Sequence, residues 1–328
     1  MMRLFGLLAL LALALVLALS VGARPVTPAV ALEALRAYDP TNPDHVTMMA
    51  IRLPRLAAGL IAGGALGIAG TVMQVMTRNP LADPGLLGVN SGAAFALLIG
   101  ATVFGAADEA SVALLTFPGA ALASALVFVL GGGLRGDVGP VRLTLAGAAL
   151  NALLLSLVTA IVLVRQDTLD MFRFWVAGSL TQAASRPLAE MALIAAAGGL
   201  FALAVAPQIE ALSLGSALSR GLGTKPRRVQ AAALAVVTLC TGAAVAVAGP
   251  IAFLGLMVPP LARIVAGHSL RRELVASALL GAALLLFADT LGRVVMAPSE
   301  VRAGVMTALI GGPVFLWVAR RLRPGATA

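Results

Sequence analysis

The chain has little charge and few aromatic residues for its length. Of its 328 residues, 11% are charged and 4% are aromatic, whereas 60% are hydrophobic. A soluble domain carries about a quarter of its residues as charged side chains. Nucleic-acid-binding surfaces interleave basic residues with aromatic ones, but here the basic residues stand at the ends of apolar stretches. The net charge of +9 therefore does not indicate a nucleic-acid partner.

Residue types that carry catalytic or metal chemistry are scarce. The only cysteine is Cys240, and there are two histidines, so neither a disulfide framework nor a metal site is expected. The only lysine, Lys225, follows Thr224 and lies in no phosphate-binding loop. No catalytic residue and no directly bound cofactor is expected. If ATP drives this protein, a separate chain must hydrolyse it.

Long stretches without ionisable residues dominate the sequence. No Asp, Glu, Lys, Arg or His occurs in 56–77, 84–107, 110–134, 143–164, 191–209 or 229–262. About 20 apolar residues cross the hydrocarbon core of a bilayer, and only helices suit these sequences. The sequence therefore predicts an all-α, polytopic membrane protein with one transmembrane domain over 1–328. Ten spans are expected, at Leu4–Gly22, Leu56–Met76, Leu86–Phe104, Val112–Gly132, Leu143–Val164, Leu188–Ala206, two parts of 229–265, Leu274–Thr290 and Ala303–Val318.

Two of these segments leave alternatives open. Leu4–Gly22 is a first span or a signal peptide that ends near Ala23. The stretch 229–262 would be about 50 Å long as one helix, which is too long for one span, and Gly249-Pro250 breaks it. The part after the break, 250–265, is either a full span or a re-entrant half-helix.

Basic residues are more frequent on one side of the predicted spans. With a cytoplasmic N-terminus and ten crossings, 14 of the 23 Lys and Arg residues lie on the cytoplasmic side, as the positive-inside rule requires. The proline-rich stretch 23–55 is then an outer loop. The stretch 207–228 is a cytoplasmic loop with apolar residues inside it, and it is either a solvated linker or a surface for a partner. Arg52, Arg55 and Arg293 lie on the outer side, against the rule.

The interiors of the spans hold almost no ionisable residue. Asp289 and Glu190 stand near span ends, where solvated carboxylates are expected. Uncharged polar residues in the spans either line a passage or form hydrogen bonds between packed helices. These pathway candidates are Gln74, Asn90, Asn151, Ser156 and Thr159. The lack of charge suits a passage powered from outside better than a carrier coupled to an ion gradient.

Glycine is abundant, with 35 residues, and many of them recur every fourth position. An example is Gly59-x-x-x-Gly63, followed by Gly63-x-x-x-Gly67. Such spacing predicts that helices approach each other closely.

Four groups of short segments carry a family resemblance. They are Arg52-Leu-Pro-Arg55 with Arg78-Asn-Pro-Leu-Ala-Asp-Pro-Gly-Leu-Leu-Gly88, Leu145-Ala-Gly-Ala-Ala-Leu-Asn151, the loop 212–223, and Ala248-Gly-Pro-Ile-Ala-Phe-Leu-Gly-Leu-Met-Val-Pro259 with Thr307-Ala-Leu-Ile-Gly-Gly-Pro313. In this order they resemble the FecCD-type permeases, which are the membrane subunits of ABC importers for iron-siderophores, haem and cobalamin.

The resemblance implies an architecture and a set of partners. It implies a cobalamin-permease-like fold of ten helices in the inner membrane, and a second permease copy or a sister permease around a central pathway. It also implies an ATPase dimer on the cytoplasmic face and a periplasmic or lipid-anchored substrate-binding protein outside. The implied cargo is an iron chelate, with siderophore ahead of haem and haem ahead of cobalamin. A secondary transporter is the alternative.

The resemblance also assigns roles to residues. In the family, outer arginines receive acidic residues of the binding protein, and they match Arg52, Arg55 and Arg293. The coupling helices that rest on the ATPase match the loop 207–228, and the residues expected there are Leu214, Gly215, Leu218, Arg220, Leu222 and Gly223. Two positions depart from the family pattern. Pro260 replaces a histidine, and Arg302 stands in Glu300-Val-Arg-Ala-Gly304 where the family reads Glu-Leu-Pro-Val-Gly.

Overall fold

The computed structural model describes residues 2–22, 24–103, 105, 109–133, 140–267 and 269–321. Every regular element in these ranges is helical, which confirms the all-α prediction. The α-helices are α1 (Met2–Ser20), α2 (Pro28–Arg36), α3 (Pro43–Val46), α4 (Leu53–Thr77), α5 (Val89–Val103), α6 (Glu109–Leu130), α7 (Pro140–Val164), α8 (Gln166–Val176), α9 (Leu188–Ser213), α10 (Ser216–Gly221), α11 (Pro226–Ala248), α12 (Leu254–Ala266), α13 (Leu270–Val295) and α14 (Ala303–Arg321).

Each of the ten predicted spans coincides with an apolar helix. In the described residues, six helical segments are long and apolar enough to cross a membrane: Pro43–Thr77, Ala113–Leu130, Val141–Val164, Leu188–Ser213, Pro226–Ala248 and Leu270–Val295. Four shorter apolar helices are Leu4–Ser20, Val89–Val103, Leu254–Ala266 and Ala303–Trp317. The number that cross fully stays a prediction. Phe104, the predicted end of one span, lies outside the described residues.

Several predicted boundaries need correction. The helix after Gly249-Pro250 begins only at Leu254, and its 13 residues are about 20 Å long. Helix α9 continues through Pro207 to Ser213, so the loop that was predicted to be cytoplasmic begins at Leu214. The predicted outer loop 23–55 contains α2, α3, a π-helical turn and the start of α4.

Helices α4 and α13 make the most extensive helix–helix contact in the described part of the chain. A Cβ atom on Gly63 would lie 2.5 Å from Gly281 O, and one on Gly67 would lie 2.1 Å from Ser277 O. Only glycine lets the two backbones approach so closely, as the glycine spacing predicted. Thr71 Oγ1 lies 2.7 Å from Ser277 Oγ and adds a hydrogen bond between the helices. Helices α9, α11 and α12 also pack on α4.

Helix α7 lies at the periphery of this single chain. It packs on α5, α6 and α8, and much of its surface is apolar and exposed. Leu145 and Leu153, for example, are 64% and 57% exposed. This face is available to lipid or to another protein chain.

Candidate functional site

At the end of the α4–α13 pair that is predicted to face outward, Arg55 forms a buried ion pair with Asp289. Its Nε donates to both carboxylate oxygens, at 3.0 and 2.8 Å, and its Nη2 donates to Asp289 Oδ1 at 2.8 Å. Arg55 Nη1 donates to Glu300 Oε2 at 2.8 Å, and the Glu300 side chain is 33% exposed. Charge-assisted, two-pronged bonds of this kind fix the orientation of a guanidinium group.

Two further arginines hold the end of α1. The last carbonyl groups of a helix have no partner inside the helix. Arg293 Nη2 donates to Ala18 O at 3.0 Å, and Arg52 Nη1 donates to Leu19 O. Cations are favourable at this end of the helix dipole. Arg293 Nε also lies 3.4 Å from Asp289 Oδ2, so the arrangement joins α1, α4 and α13.

The outer cluster is the name used below for Arg52, Arg55, Asp289, Arg293 and Glu300. It brings together the three arginines that were predicted to receive a binding protein. Each of them is 5% exposed, because its guanidinium group faces partners within the chain. Their docking role stays a prediction. The expected solvated carboxylate at Asp289 is wrong, because Asp289 is 1% exposed and lies between Arg55 and Arg293.

Sequence reasoning missed Asp289 and Glu300 as partners of these arginines. The spacing of four residues between Asp289 and Arg293 on one helix was an available signal for an ion pair. The pairing of Arg55 with Asp289 spans 234 residues, and no local pattern indicates it.

At the other end of the α4–α13 pair lies a second polar group, the inner cluster of Gln74, Arg263 and Glu273. Arg263 Nε donates to Glu273 Oε1 at 2.8 Å, and its Nη2 donates to Gln74 Oε1 at 3.1 Å. Gln74 Nε2 donates to Leu256 O at 3.1 Å. That carbonyl lacks its helical partner because Pro260 has no N–H group. Gln74 therefore satisfies the carbonyl that Pro260 leaves open.

The two clusters are separated by roughly the thickness of a bilayer core. Arg55 and Gln74 both lie on α4, about 28 Å apart at 1.5 Å per residue. No ionisable residue occurs between them in the sequence. Since the hydrocarbon core is about 30 Å thick, the charged groups lie near its two surfaces.

The five pathway candidates have different surroundings. Gln74 is buried in the inner cluster, while Asn90 on α5 and Asn151 on α7 are half-buried. Ser156 and Thr159 are exposed on α7, and each hydroxyl donates to the carbonyl four residues earlier at 2.8 Å. The structure therefore does not bring all five into one site. Their role in a passage stays a prediction.

The turn at 79–88 brings three of the matched segments together. Asp83 accepts a hydrogen bond at 2.7 Å from the N–H two residues later and begins a short 3-10 helix. A Cβ atom on Gly147 would lie 1.9 Å from Leu86 O, and one on Gly255 would lie 2.8 Å from the proline after Asp83. Burial raises the pKa of Asp83 above its usual value, and the hydrogen bond opposes this.

The predicted coupling residues surround α10, just after the C-terminal end of α9. Leu214, Leu218 and Leu222 are 59%, 64% and 63% exposed. Gly215 and Gly223, on either side of α10, have φ angles of +112° and +79°, which glycine adopts without strain. The loop therefore presents apolar side chains from a short helix with glycine at both ends.

Polar contacts hold this loop together internally and fix the helix that precedes it. Ser219 is buried and its hydroxyl pairs with that of Thr224, whereas Arg220 is exposed. Arg78 Nη2 donates to Leu212 O at 2.8 Å, so it caps α9 and ties the last turn of α9, just before the loop, to the end of α4. The coupling role of these residues stays a prediction.

Comparison with known proteins identifies the family. The model of the FecCD transport family matches residues 10–321. The chain belongs to the FecCD transport family. With the apolar helices described above, this membership makes it a multi-pass protein of the inner membrane.

Relatives in the FecCD family match nearly the whole chain. The ferric enterobactin transport system permease protein FepD of Escherichia coli (strain K12) is 44% identical over 320 residues, which cover 98% of this chain and 95% of FepD. The iron(3+)-hydroxamate import system permease protein FhuB of Bacillus subtilis (strain 168) is 40% identical, with coverages of 97% and 83%. A solved metal-chelate type ABC transporter in an inward-facing conformation has a TM-score of 0.82 and 26% identity, with coverages of 98% and 99%.

The two departures from the FecCD pattern have local structural explanations. The Arg302 guanidinium lies 4.4 Å from the centre of the Phe174 ring, and its Nη1 donates to Phe174 O. Such a cation–π contact contributes about 0.5–2 kcal/mol. Arg302 therefore attaches α8 to the segment before α14. Pro260 is accommodated because Gln74 replaces the missing backbone hydrogen bond.

Proposed function

We propose that this chain is the permease subunit of an ABC importer that moves a ferric siderophore across the cytoplasmic membrane. The observation that carries the proposal is the 44% identity to a ferric enterobactin permease over 98% of the chain. The hydroxamate relative supports a siderophore ahead of haem or cobalamin. The charge-free stretch between the outer and inner clusters is consistent with a passage that binds no ion for coupling.

In this proposal the energy comes from a separate ATPase dimer. The sequence has one lysine and no phosphate-binding loop, so the permease is not itself the ATPase. The surface proposed for the ATPase is α10, with Leu214, Leu218 and Leu222 inserted into a groove of the partner. Arg220 flanks this surface and offers a charge to the partner.

A substrate-binding protein is proposed to dock on the outer face around the outer cluster. Arg52, Arg55 and Arg293 already have partners within the chain. An acidic residue of the binding protein therefore has to compete with one of these partners. Glu300 is the accessible one, since its side chain is 33% exposed. Docking is then an exchange of carboxylates on Arg55.

The passage itself is proposed to form between two permease subunits, either two copies of this chain or this chain and a sister permease. Helix α7 supports this arrangement because its exposed side carries Ser156 and Thr159 as well as apolar residues such as Leu153. A second subunit would cover that apolar surface.

Uptake of labelled iron tests the proposed function. Cells that lack their own siderophore permeases should regain uptake when this chain is produced with its ATPase and binding protein. Ferric enterobactin, a ferric hydroxamate, haem and cobalamin are offered separately. Uptake should require ATP and should persist with an uncoupler when ATP is maintained. Loss of uptake with the uncoupler alone would instead indicate a secondary transporter.

A further inference from the structure

An apolar cavity with two arginines at its edge lies between the N-terminal ends of α1 and α13. Its volume is about 1090 Å³, and its walls include Leu4 and Leu7 of α1, Val265 of α12 and Val275 of α13. Arg271 and Arg272 also line it, and none of the described residues that line it is acidic. The cavity therefore combines an apolar interior with positive charge.

Arg271 is held in place by a backbone carbonyl. Its Nε donates to Leu203 O at 3.3 Å. Leu203 O lacks a helical partner, because Pro207 in α9 has no N–H group. The contact uses one N–H of the guanidinium group and leaves its two terminal nitrogens for another acceptor.

Positive charge at this edge is not neutralised within the part of the chain that the structure describes. Arg272 is exposed and has no ion pair or hydrogen bond among those residues. The neighbouring Glu273 is committed to Arg263, with an Nε–Oε1 distance of 2.8 Å. The positive charges of Arg271 and Arg272 are therefore available to a ligand in the cavity.

The cavity lies at the cytoplasmic surface of the membrane in the proposed topology. Helices α1 and α13 run in the same direction, because Ala18 near the end of α1 accepts a hydrogen bond from Arg293 near the end of α13. Their N-terminal ends therefore share one face. A phospholipid at that level would place its phosphate beside the arginines and its acyl chains along the apolar wall.

We propose that this cavity binds an anionic phospholipid of the cytoplasmic leaflet. Arg271 and Arg272 bind the phosphate group, and the side chains of α1, α12 and α13 contact the acyl chains. A soluble phosphate would use only the arginines and leave the apolar walls in water. The proposal depends on the membrane placement and orientation of the chain and not on its cargo.

Native mass spectrometry of the full-length protein in detergent tests this site, with phosphatidylglycerol and phosphatidylcholine as the added lipids. Wild type should retain phosphatidylglycerol in preference to phosphatidylcholine. The double variant Arg271→Gln, Arg272→Gln should bind phosphatidylglycerol about 30-fold more weakly. The matched control is Arg227→Gln, Arg228→Gln, which removes two adjacent exposed arginines from the start of α11 and should bind as wild type does.

A second variant tests the apolar part of the site. Val275 is 42% exposed, so Val275→Trp can fill the cavity while both arginines remain. Its folding is checked by thermal unfolding, and it should lose phosphatidylglycerol as the arginine variant does. The proposal is overturned if the control loses as much lipid, if both lipids bind equally, or if wild type retains none. Displacement of the lipid by inorganic phosphate would also overturn it, because the site would then recognise the anion alone.

Discussion

Asp289 carries the negative charge shared by Arg55 and Arg293. Asp289→Asn keeps the shape of the side chain but leaves Arg55 with Glu300 alone and removes the carboxylate beside Arg293. Loss of one partner of a buried ion pair costs about 3–5 kcal/mol. We expect a lower unfolding temperature in detergent and less protein in the membrane. Glu300→Gln is the control, since its side chain is 33% exposed and it should cost less. Equal losses would contradict the assigned role of Asp289.

A double-mutant experiment can test whether Gln74 compensates for the backbone hydrogen bond that Pro260 removes. Gln74→Leu leaves Leu256 O without a donor, and a buried unsatisfied carbonyl costs about 1–3 kcal/mol. Pro260→Ala restores a backbone N–H group for that carbonyl. We therefore expect Gln74→Leu to cost less stability in the Pro260→Ala background than in wild type, measured by thermal unfolding of the four proteins. Additive effects would show that the contact between Gln74 and Leu256 contributes nothing.

At the scale of helices, the α4–α13 contact gives a matched pair of glycine substitutions. A Cβ atom on Gly67 would lie 2.1 Å from Ser277 O, whereas one on Gly64 would lie 3.5 Å from Ala278 O, an ordinary contact. Gly67→Ala should push the helices apart and greatly lower the yield of folded protein in size-exclusion chromatography. Gly64→Ala should stay within about 0.5 kcal/mol of wild type. Similar yields for the two variants would contradict the close packing.

Helix α10 can be tested as a unit that contacts the ATPase. Leu218 is 64% exposed, so Leu218→Asp should not disturb folding but should place a charge in the proposed interface. We expect the ATPase no longer to co-purify, and substrate-stimulated ATP hydrolysis in liposomes to fall at least about tenfold, a loss of about 1.4 kcal/mol in coupling. Leu32→Asp on α2, an exposed leucine of the predicted outer face, is the control. Normal coupling in Leu218→Asp would place the contact elsewhere.

The helices that the sequence predicts differ from those it misses in having a long apolar stretch without charged residues. The apolar helices are evident because the bilayer core fixes the length of an uncharged stretch. Helix α8 was missed because it contains Asp170 and Arg173, and its short amphipathic pattern resembles a polar loop. The predicted span Leu188–Ala206 is shorter than α9, which continues through Pro207 to Ser213. Arg271 satisfies the carbonyl that this proline leaves open, and no local pattern indicates that contact.

For the candidate site, the sequence located the arginines but not their partners. The resemblance assigned Arg52, Arg55 and Arg293 to one surface, and the structure brings them together. That two of them cap α1 follows only from tertiary packing. The same is true of Gln74, because its acceptor is created by Pro260 on another helix. Long-range pairing of this kind is absent from any local pattern.

For the whole molecule, the orientation in the membrane can be tested with single cysteines. Cys240 is buried and is the only native thiol, so Cys240→Ala gives a suitable background. An impermeant thiol reagent should label Met296→Cys in intact cells, because Met296 is 59% exposed and lies on the predicted outer side. Leu222 is 63% exposed and lies on the predicted cytoplasmic side. The reagent should therefore label Leu222→Cys only after the cells are permeabilised. Labelling of Leu222→Cys in intact cells would contradict the predicted topology and indicate the opposite orientation.

The α4–α13 pair is, in mechanical terms, a rod clamped at both ends. The outer cluster grips one end and the inner cluster the other, and the close backbone contact at Gly67 prevents sliding. A rod of fixed length transmits displacement without absorbing it. Arg78 joins the last turn of α9 to the end of this rod, so α9 is the link through which a movement of α10 would reach the pair.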